Sequence, residues 1–355
     1  MTEGTGLPIP ISSSSTIPPV ETTRRLIGAS FDLLTRSSSE MRRASFYIGT
    51  VVLGTVGPFA LASWALELVA VNRANAELEA RLAAGAASLL GFLGAIAAVG
   101  LLVAAIESRA MAAAALGGRA VGRPLSVRAS LARSRMSFWR VIVASVIVAI
   151  PVGAAQLAIG AVFAAVLGRQ TDLSVVSSTL AAAIAGAPLA YLLSGIVLGD
   201  VDPFEAVRRS FRVFRARKAA AALVAVFETA ATAVVVVGLL AGLDIAVRLF
   251  KALGLGTDSG AAGLTLMTLG ILAGVFALGT LVYTAYAIAI APQIVMFVGL
   301  TRATIGLDHV RPGGDRDPTT GIRGQRRFRW LTVGMMLALA GGASALVAFV
   351  ASVNG

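Results

Sequence analysis

From Val141 to Gly168 the chain runs 28 residues without one charged side chain. Wound as an α-helix at 1.5 Å per residue, that run is about 42 Å long. It exceeds the ~30 Å hydrocarbon core of a bilayer. Several other uncharged runs also pass the ~18 residues at which a membrane span is the default reading. The chain is 57% hydrophobic and 14% charged, with a mean hydropathy of +0.85, whereas a soluble chain carries roughly a quarter charged residues. The alternation that barrel strands need is absent, which argues against an outer-membrane barrel. These features predict an all-α, polytopic helical membrane protein.

Seven spans are predicted, at roughly 46–71, 83–106, 139–167, 173–198, 219–243, 263–298 and 330–351. Around them, 25 of the 30 cationic residues fall in the N-terminal segment and in 107–140, 199–218 and 299–329. The opposite side holds only Arg73, Arg81, Arg169, Arg248 and Lys251. By the positive-inside rule the N-terminus is cytoplasmic and the C-terminus lies outside, in a bacterial cytoplasmic membrane. The sixth span is long, about 54 Å as a helix. Splitting it near Tyr283 would send the Arg-rich 302–329 segment outside, against the charge rule, so one tilted helix bent near Pro292 is expected. Pro58, Pro151 and Pro188 are candidate bends in other spans.

A net charge of +12 could suggest a nucleic-acid partner. The charges sit between apolar spans, which instead fits cytoplasmic loops. Cysteine is absent, so disulfides and thiolate chemistry are excluded. Residues 1–22 lack the basic and apolar regions of a signal peptide, and their Ser, Pro and Gly content reads as a disordered tail. Domain organisation follows as that tail, a six-span unit over 23–300, an Arg-rich cytoplasmic linker over 301–329, and a last helix over 330–355.

The segment 203–218 packs phenylalanine and arginine together. On a helical wheel Phe204, Val207, Phe211 and Phe214 fall within about a quarter-turn. Arg208, Arg212 and Arg215 occupy the neighbouring arc, while Val213 interrupts the polar side. This suits a helix in the headgroup plane, phenylalanines down and guanidiniums on lipid phosphate. Asp200 and Asp202 before Pro203 mark its start. The same pattern recurs, aligned on a serine, at Ile27-Gly28-Ala29-Ser30-Phe31, Val127-Arg128-Ala129-Ser130-Leu131 and Val207-Arg208-Arg209-Ser210-Phe211. A repeated unit of amphipathic helix, span and return span follows. Candidate headgroup contacts are Arg208, Arg209, Arg212, Arg215, Arg128, Arg133 and Arg135; the alternative is that these arginines only orient the chain.

With its run Ala206-Val207-Arg208-Arg209-Ser210-Phe211-Arg212-Val213-Phe214-Arg215 between an apolar hairpin and another span, the chain resembles a known group. That group is the membrane domain of glycerophosphoryl diester phosphodiesterases, with related small six-span inner-membrane proteins of unknown role. The resemblance covers roughly residues 22–300, and the seventh span departs from it. Family members sometimes carry a catalytic barrel after the membrane domain. Only 56 residues follow Gly299, so the resemblance implies a lipid-facing module without that chemistry.

No phosphate-binding loop, nucleophile elbow or zinc-protease helix occurs. The single histidine, His309, and the acids Asp308, Asp315 and Asp317 read as linker. Neither a metal nor a cofactor is expected. Within the spans, Glu228 is the acidic residue that stands out, near mid-depth, where a carboxylate is costly and commonly functional. Gln156, Gln293, Tyr191, Tyr283 and Tyr286 are its candidate partners; a purely structural Glu228 is the competing reading. Glu67 and Glu107 are placed at water-reached span ends. Gly238-xxx-Gly242 and Gly270-xxx-Gly274 suggest a close contact of spans five and six. The expected role is a non-catalytic, lipid-interacting module or a subunit of a membrane complex. Anionic membrane lipids are the expected partners, with a membrane protein or a second copy as further candidates. A small transporter using Glu228 is the alternative.

The topology is testable by single-cysteine labelling. Cysteines at Ser38, Ser126 and Thr319 should be shielded from an impermeant thiol reagent in intact cells, and one at Ser259 labelled. Labelling at Thr319 would overturn the seven-span count.

Overall fold

The computed structural model describes residues 23–71, 76–167, 172–252, 260–304 and 307–314. Among them every regular element is helical: α1 (Thr23–Arg36), α2 (Ser38–Val71), α3 (Ala76–Ala120), α4 (Val127–Leu167), α5 (Asp172–Gly186), α6 (Leu192–Gly199), α7 (Pro203–Ala216), α8 (Lys218–Ala252) and α9 (Gly260–Thr304). Short 3-10 turns follow α5 and α9. Five segments are long and apolar enough to cross a membrane: Ser38–Trp64, Leu90–Ala120, Val127–Val166, Val176–Gly199 and Thr265–Arg302. The run expected over 219–243 lies in α8, outside those five. The tail over 1–22 and the span over 330–351 lie outside the described residues.

Residues 260–304 form one continuous helix with Pro292 inside it, as the charge distribution requires. Pro58 and Pro151 also sit within unbroken helices. Pro188 does not. The helix stops at Gly186, makes a 3-10 turn and restarts at Leu192. Proline lacks the N–H that would continue the ladder, and a neighbouring helix serves the groups left over. Ser210 Oγ of α7 donates to the Pro188 carbonyl at 2.6 Å and accepts from the Tyr191 N–H at 3.2 Å.

Ser210 belongs to the repeat, and its siblings behave alike in one respect. Ser30, Ser130 and Ser210 are all buried. The residue after the serine points out in two copies, with Phe31 52% and Phe211 40% exposed. The repeated small residue therefore marks where each helix meets the core. One expectation needs correction: the second copy is not a separate amphipathic helix but the opening turns of the long α4. The helix runs unbroken from Val127 to Leu167, with Pro151 inside it.

The four basic segments meet at one end of the bundle. Arg119 of α3 donates to the Arg36 carbonyl at 2.8 Å, and Arg123 lies 3.9 Å from Asp308. Arg311 N–H donates to Leu198 O at 2.8 Å, while Arg140 of α4 holds Asp200 at 2.8 Å. The densest packing is here: Ala110–Leu116 of α3, Leu192–Leu198 of α6 and 290–298 of α9 are buried along their whole length. Consecutive burial needs neighbours on all sides of a helix. The small side chains of Ala112, Ala113 and Ala114 permit that approach.

Two of the expected glycines are not in contact. A Cβ on Gly238 or Gly274 would meet nothing within 4 Å, and the side of Gly242 lies outside the described residues. The tight crossing is between α2 and α9, the most extensively packed pair. A Cβ on Gly279 would lie 2.7 Å from Gly49 Cα and 2.8 Å from Val52 Cβ. Gly279→Ile should therefore cost on the order of 1–3 kcal/mol, while Gly238→Ile should be near neutral. Thermal unfolding in detergent separates them, and equal tolerance at both positions would dismiss the crossing.

Candidate functional site

Two groups of polar side chains stand out, one within the bundle and one on its surface. The inner group is built by helix register. Arg109 lies 11 residues before the end of α3, Glu228 lies 10 past the start of α8, and Gln293 lies 11 before the end of α9. At 1.5 Å per residue all three sit about 15 Å from those helix ends. Arg109 Nη2 donates to Glu228 Oε1, and Gln293 Nε2 donates to Oε2 at 2.6 Å. Ser194 of α6 donates to Gln293 Oε1 at 3.4 Å. The Arg109 guanidinium also lies 5.6 Å from the Tyr286 ring centroid, within cation–π reach.

Of the partners expected for Glu228, Gln293 is in place. Gln156 is not: it is exposed on α4 and has no hydrogen bond among the described residues. Tyr191 donates to Met296 Sδ at 2.7 Å, and Tyr286 acts through Arg109. The sequence reading misses Arg109 because it ends the second span at 106. The signal that could find it is the absence of charge in Ala110–Gly118, which extends the apolar run past it. Glu107 corrects another expectation. It is only 5% exposed, not a water-reached span end. Arg135 Nε donates to its Oε1 at 3.3 Å and Arg135 Nη2 to Tyr47 Oη at 3.0 Å.

The candidate headgroup arginines divide by burial. Arg133 is fully buried. Its Nε donates to Val197 O at 2.9 Å and its Nη2 lies 3.7 Å from Asp200 Oδ1. That burial removes Arg133 from any headgroup set, and Arg135 turns inward as described. Arg128, Arg208, Arg212 and Arg215 are exposed. Arg209 is half-buried and donates to Glu205 Oε1 at 3.0 Å.

The surface group is α7. Asp202 caps it, accepting from the N–H groups of Phe204 and Glu205 at 2.9 and 3.0 Å, with Pro203 in the first turn. The expected apolar stripe splits in two. Val207 and Phe214 pack on the core beside buried Ala206 and Ser210, because those two small residues let the helix settle against α6. Phe204, 75% exposed, and Phe211 remain outward. By helical angle Arg208 and Arg215 stand directly beside Phe204, with Arg212 next. The hydrogen bond from Arg209 holds the Glu205 carboxyl below its usual range, helped by the charges of Arg212 and Arg208.

Both carboxylate oxygens of Glu228 carry donors, and its charge faces the Arg109 guanidinium. Among the described residues no three of His, Cys, Asp or Glu gather as a metal site. Breaking the pair should be costly: Glu228→Leu leaves Arg109 unpaired and should destabilise by about 2 kcal/mol, below the fully buried case because both groups are partly exposed. The double variant Arg109→Leu/Glu228→Leu should recover much of that loss in a detergent unfolding cycle. Strictly additive effects would mean the two side chains do not act as a pair. No protein-family model, curated protein or solved structure matches this chain.

Proposed function

We propose that this chain is a non-catalytic, lipid-interacting module of the bacterial cytoplasmic membrane, with seven spans, its N-terminus inside and its C-terminus outside. The orientation rests on the charge asymmetry and on the meeting of the basic segments at one end of the bundle. The functional reading rests on one observation above the others. Helix α7 turns Phe204 and Phe211 outward together with Arg208, Arg212 and Arg215. Aromatic rings at the acyl boundary would set those guanidiniums level with lipid phosphates, where anionic headgroups are the matching ligand. The Arg209-Ser210-Phe211 signature within 206–215, on which the resemblance to the phosphodiesterase membrane domain rests, agrees with a lipid-facing role. In this reading the chain works alone or as a subunit of a larger membrane complex.

A transporter using Glu228 is the second reading. Partial exposure of Arg109 and Glu228, 33% and 20%, favours it. The donors on both carboxylate oxygens weigh against a free proton or ion site, so the lipid module is preferred.

Each interfacial cation contributes on the order of 1 kcal/mol toward an anionic surface. Replacing Arg208, Arg212 and Arg215 together by glutamine should therefore lower affinity for phosphatidylglycerol by roughly two orders of magnitude. The wild-type contribution should shrink with salt. Native mass spectrometry of lipid retained through purification, at low and high salt, measures this. Equal, salt-independent retention by wild type and variant would reduce these arginines to topology signals.

A further inference from the structure

Gln156 is a polar residue whose position the described residues leave unexplained. It lies well inside the 28-residue uncharged run of α4. Sixteen residues, about 24 Å, separate it from Arg140, and eleven, about 17 Å, from the end of α4 at Leu167. Neither the basic end nor the opposite end of α4 is within reach of its side chain. It is exposed, and it has no hydrogen bond among the described residues. Its neighbours one turn away on α4, Val152, Gly153, Ile159 and Gly160, are apolar and half-buried, and Leu157 beside it is 77% exposed. Of the five candidate spans, the one on α4 is the least covered by the rest of the fold. A primary amide facing hydrocarbon without a partner is unfavourable.

We infer that α4 packs against α4 of a second copy of this chain, with Gln156 hydrogen-bonded to Gln156 of the partner subunit. Four considerations select that occupant. A carboxamide carries both donors and an acceptor, so it is complementary to itself. Two copies inserted in one membrane share an orientation, and a two-fold axis along the membrane normal brings equal positions of α4 face to face. No charge between Val141 and Gly168 opposes that approach. Gly153 and Gly160 lie one turn to either side of Gln156 on the same face. A Cβ added at either would meet nothing within 4 Å, so their backbones stand open for a second helix to come close. This contact is independent of the lipid reading of α7, which lies on a different element.

The chain has no native cysteine, so single cysteines report the contact directly. In full-length protein in native membranes, cysteines at Ala149, Gly153 and Gly160 should form disulfide-linked dimers on oxidation. A cysteine at Ala158, also exposed but on the other flank of α4, should not. Independently, single-molecule photobleaching across a range of protein-to-lipid ratios should show a monomer–dimer equilibrium. Gln156→Leu should weaken it about tenfold, and Gln156→Asn should weaken it less, because the amide is kept. Gln156→Leu removes an outward polar group, so loss of folding is not its expected effect, and thermal unfolding checks this. A wild-type monomer at every density would overturn the inference. So would equal cross-linking at Ala158, or capture of the Gly153 cysteine by one placed in 330–351 of the same chain or by a different protein.

Discussion

An arginine cannot shed its charge inside a protein, so burying one obliges the fold to bring acceptors to it. Arg133 imposes that condition here. With its side chain sealed from solvent, it takes the Val197 carbonyl and approaches Asp200. Arg140, two turns further along α4, takes Asp200 and the Val201 carbonyl. The end of α6 is thereby satisfied by side chains from α4, where a helix terminus would otherwise leave carbonyls unserved. Asp200 adopts the left-handed conformation, with φ 54°. Asp202 then starts α7, whose Ser210 serves the groups freed at the Pro188 break. The course of 186–216 hangs on this linked set.

Other inward-turned polar groups extend the same logic across the bundle. Arg135, Glu107 and Tyr47 join α4, α3 and α2, while Arg109, Glu228 and Gln293 join α3, α8 and α9. Lipid offers no hydrophobic drive for helices to associate with one another, so close packing and polar contacts must hold them together. Small residues supply the packing. The alanines of 112–115 let α3 pass through the middle of the fold, and Gly49 with Gly279 lets α2 and α9 touch through their backbones. Toward the other end the helices present Leu157, Val166, Val234 and Leu266 outward. That contrast suits a molecule whose order is concentrated at its basic end.

Such an arrangement holds α7 rather than leaving it to swing. Its small residues are pinned on α6 and the 3-10 turn, and its start is fixed by the Asp202 cap. Phe204, Phe211 and their neighbouring arginines are therefore displayed from a rigid base, which lowers the ordering cost of meeting a surface.

The long uncharged runs, together with the missing alternation that barrel strands need, determine that the chain is helical and suited to a membrane, because only helices and closed barrels satisfy their backbone in lipid. Charge placement predicts that the span over 263–298 stays one helix, and the Asp-Pro signal predicts where α7 begins. These are local properties, fixed by composition and by the first turn of a helix. Which polar residue meets which is not local. Glu228 can be singled out but not paired, since Arg109 is 119 positions away and the two meet only through the register of α3, α8 and α9. The wheel of 203–218 marks an amphipathic helix yet cannot say that Val207 and Phe214 face protein and Phe204 and Phe211 do not. Arg128, Arg133 and Arg135 read alike in sequence, and only tertiary packing sorts them, because a side chain's partners depend on which neighbouring helix occupies its side of the wheel.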